Sequence, residues 1–325
     1  MIWMNPLVSI QCITYNHENY IADAIESFMM QKTNFEFEVL IGEDCSTDRT
    51  REIVEKYVRL YPDHIRLITS EHNVGARQNL IRLHEQSRGK YVAFCEGDDY
   101  WIDPYKLQKQ VDYMESHPEC TFCFTNGEVV DENKQSRGQS VVPWLKNNGP
   151  YYYGENHKYL AGELALLGYI PTASFLFPKQ LMDDRPDWYF RVIVDDNSVK
   201  LITTSHGYAY FIDEKMCAYR FGLSNSATTR WNKENHTIEK QIQHHQCFID
   251  LYDYFNEYSN FQYAEDIDRV KKIFEFQIHV LKGELYELKA ERFKEIFDGL
   301  SAVEKAKIYS RCYFPRIYST LQKVK

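Results

Sequence analysis

Two kinds of apolar pattern alternate along the first hundred residues. Leu7 to Thr14 form a continuous apolar, β-rich run, and a polar break separates this run from an apolar stripe at helical spacing between Ile21 and Met29. The same order of strand, polar break and helix returns twice, and a fourth apolar run extends from Lys90 to Cys95. Strands that alternate with helices predict an α/β fold with a parallel sheet and right-handed crossovers.

The pattern changes after residue 100. Asp103 and Pro104 form an N-cap and first-turn pair, which predicts a helix that ends near His117. Residues 131–160 show only weak periodicity, so we interpret them as a long loop or excursion from the sheet. Around them we expect strands at 121–130, 173–177 and 208–212 and a short helix at 163–167, which together extend the sheet as a mixed one. From about residue 232 onward the pattern is helical and predicts a separate appendage.

Composition and charge narrow the class of protein. Of the 325 residues, 44% are apolar and 26% are charged, as in a soluble globular protein. The 38 basic and 47 acidic side chains give a formal net charge of −9, and this negative field disfavours nucleic-acid binding. The N-terminus lacks the features of a secretory signal, and the eight cysteines are scattered. We therefore expect a cytoplasmic protein with reduced thiols and without a transmembrane helix.

Carboxylates follow two of the predicted strands at the point where each strand ends. Asp44 follows the second strand, and Asp98 and Asp99 follow the fourth. Because ligands of open α/β sheets bind beyond the carboxyl ends of the strands, these groups should converge on one crevice. Adjacent carboxylates repel each other, and a divalent cation would relieve the repulsion. Their hard oxygen atoms suit Mg²⁺ or Mn²⁺.

A bound cation of this kind suits a reaction in which a diphosphate departs, because it offsets the charge that develops on the leaving group. A nucleotide sugar contains such a leaving group. The chain has no Gly-rich P-loop with its lysine, and no G-x-G-x-x-G follows the first strand. These absences from the sequence disfavour an ATPase and a dinucleotide-binding protein.

Four runs of sequence carry a family resemblance: VSIQCITYNHENYIADAIESFMMQ, VLIGEDCSTDRT, HNVGARQN and YVAFCEGDDYW. In order and spacing they resemble the N-terminal half of family 2 glycosyltransferases with the GT-A fold. The likeness extends over residues 5–125 and, more loosely, over 165–225. It implies a Rossmann-like sheet with helices on both faces. It also implies a nucleotide-sugar-binding half at 1–100, an acceptor-binding half at 101–228 and a C-terminal helical extension at 229–325.

The resemblance implies roles for residues of the first half. Thr14, Tyr15 and Asp44 would line the nucleotide base pocket, and Asp44 would accept a hydrogen bond from a uracil or a similar base. Arg77 would lie near the nucleotide. The family's Asp-x-Asp-type element is written here as Glu96-Gly97-Asp98-Asp99. It implies that Asp99 binds Mn²⁺ or Mg²⁺ and that Asp98 belongs to the ribose or metal shell.

The resemblance also implies a catalytic base in the second half. Val194-Asp195-Asp196-Asn197 matches the acidic pair from which inverting members take a general base, which must act opposite the leaving diphosphate. Asp196 is the first candidate and Asp195 the second. The stretch MCAYRFGLSNS resembles the family's Tyr-Arg segment. It has Phe221 and Gly222 where a histidine often follows the arginine.

The predicted activity is sugar transfer from a nucleotide diphosphate donor, most simply UDP-linked, to a hydroxyl of a glycan or a lipid-linked saccharide. Bacterial surface polysaccharide synthesis is the expected setting. Two alternatives remain open. One is a nucleotidyltransferase on a similar sheet, although its usual basic, Gly-rich loop is absent after the first strand. The other is a protein that binds nucleotide sugars without catalysis.

The C-terminus is basic on an otherwise acidic chain. The last 25 residues hold six basic side chains and one acidic side chain. This segment is either a solvated helix face or a tail that contacts an anionic membrane surface, aided by Tyr309, Tyr313 and Phe314. Peripheral membrane contact is therefore a further expectation.

Overall fold

The computed structural model describes residues 6–144, 151–224, 226, 229 and 237–313. The chain divides into two compact units. The first unit comprises Met1–Tyr189 and Asp195–Thr229, and the second comprises Phe190–Val194 and Arg230–Lys325. The boundaries expected from the sequence, including the division of the first unit at residue 100, stay predictions.

The first unit begins with the predicted alternation of strands and helices. Its elements are, in order, β1 (Val8–Thr14), α1 (Ile21–Met29), β2 (Phe37–Glu43), α2 (Thr50–Leu60), β3 (Ile65–Thr69), α3 (Ala76–Gln86) and β4 (Tyr91–Phe94). β1 pairs in parallel with β2 and with β4, and β2 pairs in parallel with β3. The carboxyl ends of these strands therefore meet at one edge of the sheet, where ligands of α/β folds bind.

The rest of the first unit extends this sheet. Its elements are β5 (Tyr100–Trp101), α4 (Lys106–Ser116), β6 (Cys120–Val130), β7 (Ser136–Ser140), α5 (Val141–Trp144), β8 (His157–Tyr159), α6 (Ala161–Leu167), β9 (Leu176–Pro178), α7 (Asp195–Thr204) and β10 (Tyr208–Arg220). The strand order is β3-β2-β1-β4-β9-β6-β10-β5, with β7 on β6 and β8 on β10. β9 is antiparallel to both β4 and β6, so the sheet is mixed, as predicted.

Several segments differ from the sequence-based expectation. Residues 131–160 contain β7, α5 and β8, whose lengths of five, four and three residues are too short to show a period. The strand expected at 173–177 divides into a 3-10 turn at Thr172–Ser174 and β9. β10 continues eight residues beyond Ile212, and its pairing with β6 contains register shifts.

The start of α4 also differs from the expected N-cap. The helix begins at Lys106 with Tyr105 as its N-cap. The Asp103 carboxylate accepts a hydrogen bond from the Tyr105 N–H at 2.8 Å, and the Asp103 carbonyl accepts one from the Lys106 N–H at 3.2 Å. Asp103 and Pro104 therefore form a turn that leads into the helix.

The core of the first unit lies between the sheet and helices such as α1 and α4. Phe28 of α1 packs edge to face on Trp101 of β5, with ring centroids 4.9 Å apart. Trp101 is 1% exposed, and its Nε1 donates to the carbonyl of Ala173 at 2.7 Å. This tryptophan therefore packs within the core behind the acidic residues 96–99.

The second unit contains the predicted C-terminal helices. They are α8 (Ile238–Tyr258), α9 (Ala264–Lys282), α10 (Leu285–Leu288), α11 (Lys294–Gly299) and α12 (Ala302–Tyr313). The Thr237 side chain caps α8 by accepting from the Lys240 N–H at 3.3 Å, and α9 ends at Gly283 with φ of 74°. A separate apolar cluster stabilises the unit: Phe276, Leu288, Phe293, Phe297 and Ile308. Among the described helices, none combines the length and apolar character needed to cross a bilayer.

Candidate active site

A cavity of about 370 Å³ lies in the first unit, next to the ends of β1 and β4. Five carboxylates line this acidic cavity: Glu96, Asp98, Asp99, Asp195 and Asp196. The first three follow β4, and the last two form the first turn of α7. Of the predicted site residues, the structure therefore brings Asp98, Asp99, Asp195 and Asp196 together. The remaining walls include apolar and aromatic side chains such as Ile13, Leu80, Phe94, Tyr169 and Tyr219.

Glu96–Asp99 form a tight turn, which we call the acidic turn. The Gly97 N–H donates to the Ile13 carbonyl at 3.0 Å, and the Asp99 N–H donates to the Glu96 carbonyl at 3.1 Å. A Cβ atom on Gly97 would lie 2.7 Å from Thr14 Oγ1 and 3.0 Å from His17 Nδ1. Glycine is therefore required here because the turn packs directly against the end of β1.

The two adjacent aspartates of the acidic turn have different surroundings. Asp99 is 6% exposed, and its Oδ1 accepts a hydrogen bond from the backbone N–H of Arg220 at 2.8 Å. The Asp98 side chain is 19% exposed, and its Oδ2 lies 3.8 Å from His17 Nε2. Asp98 is consequently the more accessible of the two predicted metal-shell residues.

Burial raises the pKa of carboxylates in this cavity. Burial, followed by the charge of Asp98, raises the pKa of Glu96 to about 7. Burial, followed by the charges of Asp98 and Glu96, raises the pKa of Asp99 well above its ordinary value. Within the described part of the chain, the buried Glu96 Oε2 has no hydrogen-bond partner. Ionisation of these acids is therefore unfavourable unless a cation or further hydrogen-bond donors enter.

The donor atoms of the cavity fit a hard divalent cation, because carboxylate oxygens are the ligands that Mg²⁺ and Mn²⁺ prefer. Across residues 6–144, 151–224 and 237–313, no three His, Cys, Asp or Glu side chains form a ready-made metal cage. Magnesium is commonly held by one or two carboxylates, with substrate phosphates completing its coordination. The acidic turn fits a cation site of that second type.

The two carboxylates at the start of α7, Asp195 and Asp196, have different hydrogen-bond partners. Arg77 Nε donates to Asp195 Oδ1 at 2.6 Å, and the Tyr189 hydroxyl also bonds to this carboxylate. Burial raises the pKa of Asp195, and the Arg77 charge opposes this effect. Asp196 Oδ1 instead accepts a hydrogen bond from the Asn197 side chain at 3.2 Å. Arg77 thus engages the second candidate base, Asp195.

Asp44 contacts the loop that precedes α3. Its Oδ1 accepts from the Val74 N–H at 2.8 Å and from Ser70 Oγ at 3.2 Å, and its Oδ2 accepts from the Gly75 N–H at 2.9 Å. It is 3% exposed and is not part of the cavity lining. The Asp44 N–H donates to the Thr14 carbonyl at 3.1 Å, so Asp44 lies at the same edge of the sheet. It does not line the acidic cavity, however, whereas the sequence analysis expected it in one crevice with Asp98 and Asp99. Asp44 fixes the loop that leads to Ala76 in the cavity wall.

Thr14 and Tyr15 lie at the end of β1, beside the acidic turn. Thr14 is 2% exposed, and among the described residues its Oγ1 has no hydrogen-bond partner, as is also true of His17 Nδ1. Buried polar atoms without partners cost free energy, so a polar ligand near Gly97 would satisfy them. The nucleotide-binding roles of Thr14, Tyr15, Asp44 and Arg77 stay predictions.

Sequence reasoning assigned no role to Glu96 or Arg220, although both line the cavity. The spacing of Glu96 two residues before Asp98 was a signal that could have included it. Arg220 is 121 residues from its hydrogen-bond partner Asp99, and no local pattern reports such a contact.

Comparison with known sequences agrees with the resemblance noted above. Residues 9–170 match the sequence profile of the family described as Glycosyl transferase family 2. The uncharacterized protein Rv1520 of Mycobacterium tuberculosis is 45% identical over 193 residues, which cover 57% of this chain and 53% of that protein. The putative teichuronic acid biosynthesis glycosyltransferase TuaG of Bacillus subtilis is 37% identical over 128 residues, 39% of this chain and 49% of that protein.

A further relative comes from Escherichia coli. It is the UDP-Glc:alpha-D-GlcNAc-diphosphoundecaprenol beta-1,3-glucosyltransferase WfgD, 32% identical over 137 residues, which cover 42% of this chain and 51% of that protein. The chain spans about half the length of the curated relatives it matches.

Two solved structures share the fold. S. aureus TarS 1-349 in complex with UDP-GlcNAc superposes with a TM-score of 0.56 and 18% identity, covering 94% of this chain and 79% of that one. Mannosyltransferase PcManGT from Pyrobaculum calidifontis, in complex with GDP-Man and Mn²⁺, superposes with a TM-score of 0.58 and 14% identity, covering 98% and 84%. At these identities the likeness concerns the fold, and it confirms the predicted GT-A architecture.

Proposed function

Because the chain belongs to glycosyl transferase family 2 through residues 9–170, we propose that it is an inverting, metal-dependent glycosyltransferase. Its donor is a nucleoside-diphosphate sugar, most simply UDP-linked, and its acceptor is a hydroxyl of a glycan or a lipid-linked saccharide. The observation that carries this proposal is the convergence of five carboxylates from two distant segments, 96–99 and 195–196, on one cavity.

The names of the relatives support a UDP-sugar donor and a role in the synthesis of surface polysaccharides. TarS was solved with UDP-GlcNAc, and the name of WfgD specifies a UDP-Glc donor and a diphosphoundecaprenol-linked acceptor. The name of TuaG specifies teichuronic acid biosynthesis. We therefore propose a role in bacterial surface polysaccharide synthesis, in the cytoplasm at the membrane surface. The proposed membrane contact is the basic C-terminal tail, of which residues 314–325, including Phe314, lie outside the described residues.

We propose that Asp98 and Asp99 hold Mn²⁺ or Mg²⁺, with Glu96 beside them. The pKa values of Glu96 and Asp99 are raised, and Glu96 Oε2 has no hydrogen-bond partner among the described residues; both observations support a positive ligand at this turn. The solved complex of PcManGT with Mn²⁺ supports the choice of metal. When bound, such a cation would offset the negative charge that develops on the departing diphosphate.

Asp196 is the proposed general base. The acceptor hydroxyl transfers its proton to the Asp196 carboxylate while its oxygen bonds to C1 of the donor sugar. The bond between C1 and the diphosphate oxygen breaks, its electron pair leaves with the nucleoside diphosphate, and the configuration at C1 inverts. Asp195 is the weaker candidate because Arg77 and Tyr189 already engage its carboxylate.

The remaining predicted residues complete the donor site in this proposal. Thr14 and Tyr15 line the base pocket, and a polar ligand there is supported by Thr14 Oγ1, which lacks a hydrogen-bond partner in the described part of the chain. The bonds from Asp44 to Val74 and Gly75 support an indirect role, in which Asp44 fixes the loop beside the nucleotide. Arg77 acts near the nucleotide and orients Asp195 at the start of α7.

The test is nucleoside diphosphate release from a panel of nucleotide sugars, measured with Mn²⁺ and with a chelator, first with water as acceptor. We expect slow, Mn²⁺-dependent release from a UDP-sugar by the wild type and none by Asp99→Ala. The exposed Asp63 provides the matched control Asp63→Ala, which should retain release. Pyrophosphate release would instead identify a nucleotidyltransferase, and tight binding without release would identify a non-catalytic binding protein. Either result would overturn the proposal.

A further inference from the structure

We propose that Arg220 is a positioning residue that fixes the acidic turn so that the turn can receive a cation and a diphosphate. The identity of that ligand rests on the proposed function, whereas the contacts that carry the inference do not depend on a ligand. Arg220 is the last residue of β10 and lines the acidic cavity. It therefore connects the end of the long mixed-sheet strand to the turn that follows β4.

Arg220 contacts the acidic turn at two points. Its backbone N–H donates to Asp99 Oδ1 at 2.8 Å, and its Nη1 donates to the Asp98 carbonyl at 2.6 Å. The guanidinium thus bonds to the backbone of Asp98, while the Asp98 carboxylate faces His17, whose Nε2 lies 3.8 Å from Oδ2. Arg220 restrains the turn without competing with a cation for the Asp98 carboxylate.

The guanidinium is itself held from three directions. Its central carbon lies 5.1 Å from the ring centroid of Tyr20 and 4.6 Å from that of Tyr100. Its Nη2 donates to the carboxylate of Asp23 on α1. The side chain is 0% exposed, so these charged and cation–π contacts act with little screening by water. α1, β5 and β10 therefore determine together where the acidic turn lies.

Charge alone does not account for this arrangement. A lysine at position 220 would supply the same positive charge near the five carboxylates. It lacks the planar fork that bonds in two directions while stacking between two rings. Arg220→Lys therefore separates a positioning role from a purely electrostatic one.

A second variant alters Asp23, the residue whose carboxylate binds the Arg220 guanidinium. Asp23 is outside the cavity lining and contacts Arg220 and Lys134. Asp23→Asn removes the anionic anchor of the guanidinium without substituting any residue of the acidic turn. Lys134→Gln is the matched control, because Lys134 Nζ bonds to the other Asp23 oxygen at 2.7 Å and is 51% exposed on its side chain.

The first measurement is hydrogen–deuterium exchange of peptides covering residues 95–101, without metal or nucleotide. Backbone amides in this stretch are bonded to Gln11, Ile13 and Glu96, so displacement of the turn would expose them. We expect exchange about tenfold or more faster in Arg220→Lys and in Asp23→Asn, and wild-type exchange in Lys134→Gln. Peptides from β2 and α2 should be unchanged in all three variants, which excludes global unfolding.

The second measurement is the Mn²⁺ concentration needed for half-maximal UDP binding. Loss of a residue that orients metal ligands commonly weakens metal affinity by about 10- to 100-fold, and we expect this range for Arg220→Lys and Asp23→Asn. Unchanged exchange in both variants would overturn the positioning role, and so would faster exchange with an unchanged Mn²⁺ requirement. If the wild type binds no nucleoside diphosphate with any divalent cation, the proposed function fails, and the exchange data alone decide whether Arg220 fixes the turn.

Discussion

Asp195 and Asp196 are neighbours in sequence, yet the structure gives their carboxylates different partners. Asp195 is bonded to Arg77 and Tyr189, whereas Asp196 is bonded to the adjacent Asn197 side chain. Burial raises the pKa of Asp195 even beside Arg77, so the difference between the two groups lies in access: Arg77 and Tyr189 already occupy hydrogen-bonding positions of the Asp195 carboxylate. At the residue scale, this difference is what distinguishes the two candidate bases.

The distinction predicts the behaviour of two isosteric variants. Asp196→Asn should keep UDP binding within about twofold and lower kcat by about 100- to 10,000-fold, which is the usual contribution of a general base. Asp195→Asn should have the smaller effect on kcat. The measurements are steady-state kinetics of sugar transfer and calorimetric titration with UDP. Normal turnover by Asp196→Asn would contradict the assignment.

The close packing at Gly97 predicts that any larger residue at this position lowers the free energy of unfolding. Gly97→Ala forces a methyl group to within 2.7 Å of Thr14 Oγ1, and such overpacking costs about 1–3 kcal/mol. Gly299→Ala is the control, since nothing lies within 4 Å of its added Cβ; alanine there should change stability by at most about 1 kcal/mol, in the favourable direction. Urea unfolding of both variants gives the comparison, and equal free energies of unfolding would refute this view of the turn.

Residues at the ends of strands could be predicted from sequence, whereas their partners could not. Asp98 and Asp99 follow an apolar run, and this position alone indicated a shared crevice with other strand ends. The contacts from Asp44 to Val74 and from Arg220 to Asp99 span 30 and 121 residues. Such contacts depend on how distant elements pack, which no periodicity in a single sequence reports.

At the scale of elements, the strands and helices from β1 to β4 were predictable because each carries a clear apolar period. α7 was not, because its buried face is largely polar: Ser198, Lys200, Thr203 and Thr204 are all buried. Burial lowers the pKa of Lys200 to about 8 although the charge of Asp196 opposes this shift, and the Lys200 Nζ donates to the Gly168 carbonyl at 2.5 Å. A helix buried through polar contacts gives no apolar stripe, so the start of α7 at Asp195 was missed.

A buried histidine of α3, His84, makes the stability of the protein depend on pH. His84 is 3% exposed, and burial, assisted by the charge of Arg185, lowers its pKa to about 4. Between about pH 6.5 and 4 the unfolded chain therefore binds more protons than the folded chain, so the free energy of unfolding falls as the pH falls. This group should contribute about 1–3 kcal/mol of that loss.

The experiment is urea unfolding at pH 7 and at pH 4.5. His84→Gln should lose less stability than the wild type between these two values, because glutamine does not titrate. His72→Gln, at an exposed position, serves as the control and should follow the wild type. An identical pH dependence for His84→Gln and the wild type would show that His84 is not a source of the acid sensitivity.

At the scale of the whole molecule, the charges are unevenly distributed. The chain carries a net charge of −9, yet six of its basic residues fall within the last 25 positions. Removal of residues 314–325 deletes Arg316, Lys323 and Lys325 while retaining α12. Each basic residue near an anionic surface contributes about 1 kcal/mol, so this truncation should weaken binding to phosphatidylglycerol vesicles.

Vesicle co-sedimentation measures this prediction, and neutral phosphatidylcholine vesicles are the control. Equal binding of the full chain and the truncated chain to the anionic vesicles would eliminate residues 314–325 as a membrane contact.

The central claim is that the acidic cavity binds a nucleoside diphosphate together with a divalent cation. Calorimetric titration of the wild type with UDP, in Mn²⁺ and in a chelator, measures this most directly. We predict saturable one-to-one binding in Mn²⁺ and a loss of affinity of at least about tenfold in the chelator. Equal affinity under both conditions, or no binding in Mn²⁺, would contradict the account.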